Sequence, residues 1–189
     1  TLELLDRQGR LNGAALRKDL GATLPTVRAN PFHLQQVLVN LLINSCDAIQ
    51  ESDGRGEIRI STRAEVAEGV PAERPRPRRS DDPEEVDYSH IRRFNAPSSE
   101  VRRHGFREGD RLVTVVVEDD GPGLPEGDVE RVFDPFFTTK DPGKGTGLGL
   151  SVSARLVGMM GGTVEASNLE EGGCVFRVKL PVEDDREEG

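Results

Sequence analysis

The sequence predicts an α+β domain, and three observations carry that class. A long apolar stripe at three- and four-residue spacing follows Asn30-Pro31, the mark of an amphipathic helix. Segments that alternate apolar and polar residues follow it and close the chain, the mark of strands. A loop with glycine at every second position, residues 143–149, runs straight into a further apolar helical stretch. The 189 residues suit one domain with a core of ordinary size. With 25 Lys and Arg against 34 Asp and Glu the net charge is −9, which speaks against a nucleic-acid partner. No apolar run approaches a membrane span. Cys46 and Cys174 form neither a metal spacing nor a disulfide framework. A cytoplasmic chain with no membrane contact of its own is expected.

Residues 1–13 read as the end of an upstream helix, so a piece of a longer protein is expected, with a domain over 14–182 and an acidic tail over 183–189. Strands are expected near residues 17–20 and near Val27. Asn30 suits an N-cap and Pro31 the first helical position, where its missing N–H does no harm. Leu34, Val37, Leu38, Leu41, Leu42, Ser45, Ala48 and Ile49 form the apolar stripe, and the helix is expected to end near Gln50. Ile58 and Ile60 alternate with polar residues in a strand over 57–62. Residues 63–110 hold an Arg-Pro run over 74–79 and an acidic run over 81–85, which predicts a flexible insertion. The sharper alternative is a basic dock for an acidic partner. Three consecutive valines in a strand over 112–118 predict burial on both faces. A short helix is expected around 128–132, then an apolar knot at 133–137. The glycine loop opens a helix to about Met160, and strands over 163–167 and 174–180 close the fold. In the last strand Cys174, Phe176, Val178 and Leu180 share one face, while Arg177 and Lys179 share the other.

Glycine placement is the first functional clue. Of 21 glycines, 12 fall between Gly121 and Gly173, and glycine is used where backbone turns tightly or approaches a ligand. Asn40, Asn44 and Asp47 lie at i, i+4 and i+7 on one helical face, either wetted or lining a pocket; amide oxygens suit Mg²⁺. Asp119 ends a buried strand beside Gly121 and Gly123. It could accept a hydrogen bond from an exocyclic amine, or belong to an ordinary Asp-Gly turn. Residues 143–149 match neither a Walker loop nor the dinucleotide fingerprint. Alternating glycines before a helix can still offer N–H groups and a positive dipole end to phosphates, with Lys140 and Lys144 adding charge.

Taken in order, these pieces resemble the catalytic ATP-binding domain of bacterial sensor histidine kinases, within the superfamily that includes gyrase, MutL and a heat-shock chaperone. Residues 36–48 (QVLVNLLINSCDA) resemble its N box, and 119–123 (DDGPG) its first glycine box. Residues 133–136 (FDPF) resemble its F box, and 143–149 (GKGTGLG) its second glycine box. The F box running on into FFTTK is similar to the nitrogen-regulator-like group. The resemblance covers about residues 15–181, the insertion apart. It implies a two-layer α/β sandwich, with a mixed, mainly antiparallel sheet covered on one face by helices.

The resemblance also implies roles. Asn44 would coordinate Mg²⁺ bridging the phosphates of ATP, with Asn40 supporting it as a second catalytic residue. Asp119 would bind the adenine amino group, and Gly121 and Gly123 would let the base sit close. Gly145, Gly147 and Gly149 would cradle phosphates, and Phe133, Phe136 and Phe137 would anchor a mobile ATP lid. Asp47, Thr139, Lys140, Lys144, Thr146, Leu148 and Cys174 complete the expected ATP-binding set. Two positions depart from the family: Asp47 stands where many kinases carry Lys or Arg, and Cys174 where a Thr or another small residue often stands. Hydrolysing cousins carry Glu where this chain has Asn40, so slow hydrolysis and transfer to a histidine elsewhere are expected.

None of the three histidines here fits the acceptor. His33 sits on the first turn of the helix, His90 lacks the acidic residue that follows the acceptor histidine, and His104 has no catalytic context. The expected partners are therefore ATP, an upstream dimeric helical domain bearing the phosphoacceptor histidine, and a response-regulator receiver domain. A gyrase-like hydrolytic clamp and a non-catalytic docking module are the alternatives.

Overall fold

A computed structural model of the chain describes residues 14–52, 54–67, 106–125, 127–140 and 145–183. The expected upstream helix, His90, His104, the Arg-Pro run, Lys144 and the tail beyond Glu183 lie outside the described residues. The elements are β1 (Ala14–Leu20), α1 (Pro31–Glu51), β2 (Gly56–Val66), β3 (Arg111–Asp119), α2 (Gly149–Met159), β4 (Thr163–Asn168) and β5 (Cys174–Pro181). The strands form one sheet in the order β1-β2-β3-β5-β4, with β1 parallel to β2 and every other pair antiparallel.

Helix α1 starts as its sequence dictates. The Asn30 carboxamide oxygen accepts from the N–H groups of Phe32 at 2.9 Å and His33 at 3.3 Å, and Pro31 follows directly. The helix then buries Val37, Leu41, Leu42, Ser45 and Ile49 of the stripe, with Cys46 beside them. The apolar ones pack with Ala154 and Val157 of α2 against Ile58, Val115, Val117, Phe176, Val178 and Leu180 of the sheet. Both helices cover one face, giving the two-layer α+β sandwich. The face carrying Arg177 and Lys179 also presents Glu165 and Ser167, to which those cations bond at 3.0–3.1 Å. Val115, Val116 and Val117 are all buried, as their central strand predicts.

Three expectations are corrected. No helix forms over 128–132: Asp128, Arg131 and Asp134 donate to carbonyls three residues back, so the segment is a chain of turns. It is too short to meet the cost of helix nucleation, and burial of Val132 and Phe133 fixes it instead. Val27 makes a single bridge to Val182 rather than a strand. Strand β2 continues past Thr62 to Val66, paired with β3 up to Arg111, so residues 63–66 are sheet and not insertion.

Candidate functional site

Between α1, the end of β3, the turns after it and the start of α2 lies a cleft of about 360 Å³. That size suits a small molecule. Its floor is the Asp119 carboxylate, 3 % exposed. One oxygen accepts from the N–H groups of Gly121 at 3.2 Å and Cys174 at 3.3 Å; the other accepts the Ser45 hydroxyl at 2.8 Å. Burial raises the Asp119 pKa above its ordinary 3.8; the hydrogen bonds from Ser45, Gly121 and Cys174 oppose that shift and Asp120 adds to it. Burial, with Asp119 close by, pushes the Cys174 thiol up to about 12, so it stays protonated and unreactive.

Gly173 lets this floor form. Its φ is +96°, and a Cβ there would drive into the Asp119 backbone carbonyl. The neighbouring wall is pinned by Asn168, whose amide donates to the Leu124 carbonyl and accepts from its N–H, both at 2.7 Å. Pro122, Gly123, Leu124 and Phe176 line this end, a narrow apolar slot over a buried carboxylate.

The other end is polar. Helix α2 begins without a side-chain cap, so its first N–H groups remain open to an anion. Asn40 ties α1 to this helix start, its amide donating to the Gly149 carbonyl and Ser153 hydroxyl, both at 3.1 Å, while its oxygen accepts from Gln36 at 3.0 Å. The Asn44 amide lines the cleft and has no side-chain hydrogen bond among the described residues. Lys140 crosses to Asp47, its ammonium 2.5 Å from the carboxylate. Gly147, at φ +65°, backs onto the Phe136 backbone, and the Phe136 N–H donates to the Gly147 carbonyl at 2.9 Å. Phe136 itself has a φ of +67°. Arg131 stacks 4.8 Å from the Phe137 ring centre, which steadies that wall.

Of the residues singled out in the sequence, Asn40, Asn44, Asp47, Asp119, Gly123, Thr139, Lys140, Gly145, Thr146, Gly147, Gly149 and Cys174 line one cleft. Gly121 sits behind Asp119, against Ala48. Phe133 is buried in the core rather than lining the cleft, and Phe136 and Leu148 turn outward, 74 % and 38 % exposed. Lys144 lies outside the described residues. Ser45, Asn168 and Gly173 also build the site, without having been among the residues expected there. Ser45 alone carried a signal, a hydroxyl within an otherwise apolar stripe.

No group of three or more His, Cys, Asp or Glu among the described residues could hold a metal ion. The open Asn44 amide does fit Mg²⁺, which takes few protein ligands and keeps waters and phosphate oxygens as the rest. No helix among the described residues is long and apolar enough to cross a membrane.

Residues 86–184, just over half of the chain, match the family of histidine kinase-, DNA gyrase B- and HSP90-like ATPases. Sensor kinase CckA of Brucella abortus is 33 % identical over 88 % of this chain and 14 % of its own length. The sensory histidine kinase/phosphatase NtrB of Azospirillum brasilense is 32 % identical over 86 % of this chain and 32 % of its own length. The chain thus spans less than a third of these relatives. The nucleotide-free catalytic domain of histidine kinase ThkA superposes with a TM-score of 0.60 at 25 % identity, covering 95 % of this chain and 88 % of that one. ThkA has also been solved in complex with response regulator protein TrrA; that structure, at 22 % identity and a TM-score of 0.57, shares the fold.

Proposed function

From its membership of the histidine kinase-, DNA gyrase B- and HSP90-like ATPases, we propose that this chain is the ATP-binding catalytic portion of a two-component sensor histidine kinase. The observation that carries the reading is the two-ended cleft: a buried carboxylate under an apolar slot, joined to an uncapped helix start. Adenine fits the first end, its amino group donating to Asp119 between Gly123 and Leu124. The phosphates fit the second, against the first N–H groups of α2 and the backbone of Gly145, Thr146, Gly147 and Gly149, with Lys140 and Thr139 beside them.

Mg²⁺ held by Asn44 and the phosphates would neutralise charge developing on the leaving oxygen. The chain's own residues position and shield. Asn40 fixes the helix start that holds the phosphates, and its oxygen already accepts from Gln36. An amide cannot take a proton from water, so hydrolysis is slow and the γ-phosphoryl waits for another nucleophile. The reaction is then attack of an imidazole nitrogen on the γ-phosphorus, a P–N bond forming as the bond to the β-bridging oxygen breaks and ADP leaves.

The acceptor histidine belongs to a dimeric helical domain on the N-terminal side of residue 14. A response-regulator receiver then takes the phosphoryl group, as the ThkA–TrrA complex suggests by analogy. The FFTTK run and the likeness to NtrB support a nitrogen-regulator-like subgroup, and the setting is cytoplasmic. Incubation with γ-labelled ATP and the helical domain tests the reading. Acid-labile, base-stable label on that domain, with little free phosphate, is expected. Rapid free phosphate without label transfer would favour a hydrolytic ATPase instead.

A further inference from the structure

We infer that Asp47 works against nucleotide: it holds Lys140 in an ion pair that an incoming polyphosphate must displace, and so sets the metal dependence of binding. The inference rests on the cleft being the ATP site. Asp47 projects from α1 one turn beyond Asn44, and Lys140 reaches it from the segment that follows Phe137. Their charged ends meet at 2.5 Å, with the side chains only 24 % and 19 % exposed. Gly145 leaves room for this reach, since a Cβ there would meet the Lys140 stem at 3.3 Å and the Thr138 hydroxyl at 2.8 Å.

Among the described residues lining the cleft, Lys140 is the one cation, while Asp47, Glu51 and Asp119 are acids. A phosphate oxygen that takes the Lys140 ammonium strips Asp47 of its partner. The bared carboxylate then faces the phosphates, and like charges this close and half-buried repel. A divalent cation carried in on the phosphates cancels most of that repulsion. The penalty therefore falls hardest on metal-free ATP and ADP, and not at all on adenosine.

Titration of the chain with adenosine, ADP and ATP, each with Mg²⁺ and with EDTA and followed by amide NMR signals, tests this. Asp47→Asn is expected to tighten ADP and ATP in EDTA about 1.5- to fivefold, the range for a solvent-accessible ion pair. The gain should shrink with Mg²⁺, and adenosine should bind alike in both proteins, which also reports that the variant is folded. Lys140→Met should weaken ADP and ATP while sparing adenosine. The inference is overturned if Asp47→Asn weakens the phosphorylated ligands, or changes all three ligands equally, as a structural role would. If ADP shifts no cleft signal in the unaltered chain, the ATP-site reading fails and takes this inference with it.

Discussion

The two ends of the cleft are built in opposite ways. At the Asp119 end the key polar groups are held in place: backbone N–H groups from two segments and the Ser45 hydroxyl fix one buried carboxylate, and Asn168 clamps the facing turn. At the α2 end the helix start has no side-chain cap, Asn44 has no side-chain hydrogen bond among the described residues, and the ammonium is lent to Asp47. The difference teaches where recognition and control lie. A flat neutral base can be met by a rigid surface, because nothing must move or change charge to receive it. On the proposed reading a polyanion has to be met by groups that can be released to it, because the described lining of the cleft offers one cation, Lys140.

The largest expected effect breaks the rigid end. Asp119→Asn puts an amide among three donors and removes the charged acceptor, which should weaken ADP by about 2–3 kcal/mol, roughly 30- to 150-fold. Calorimetry checks this, and an unchanged affinity would place the base elsewhere. Thermal stability should hold or rise, since the buried carboxylate is itself unfavourable.

Breaking the other end should give a different pattern. Gly147→Ala forces a Cβ onto the Phe136 backbone at a φ of +65°. Strain of about 1–3 kcal/mol should open that contact. ATP should weaken about tenfold and adenosine little, by the same titrations. Equal losses for both ligands would mean that the two ends are not independent.

A smaller change sharpens the contrast. Ser45→Ala removes one hydrogen bond to Asp119, worth about 1 kcal/mol, so ADP should weaken roughly fivefold. The pH response follows from the raised Asp119 pKa. On the proposed reading the ionised form accepts the amine, so affinity should fall as pH drops through a range above the ordinary 3.8. Ser45→Ala should move that fall to higher pH. Stability should run the other way: the protonated form is favoured in the fold, so its contribution is present at low pH and lost as pH rises through the folded pKa. A pH series of calorimetry and melting reads both slopes, and parallel slopes would rule Asp119 out as the titrating group.

Much of this was legible in the sequence, for a physical reason. Asn30-Pro31, the period of α1 and the three valines of β3 are local signals, and local signals survive into the fold. Asn40, Asn44 and Asp47 share a helical face by geometry alone. What was not legible depends on contacts between distant segments. Ser45 reads as part of an apolar stripe until β3 brings Asp119 against it. Gly173 is one glycine among many in the sequence until its backbone meets the end of β3. The turns over 128–132 read as a helix because their spacing is helical, yet burial of Val132 and Phe133 decides the matter. The Lys140–Asp47 pair spans 93 positions, and no periodicity foretells it.

One titration tests the central claim most directly: ADP with Mg²⁺ into the unaltered chain, beside the same titration into Asp119→Asn. Saturable binding in the first and a weakening of roughly 30- to 150-fold in the second is the expected result. No binding up to millimolar ADP, or equal binding in both, would contradict a cleft that holds adenine on Asp119.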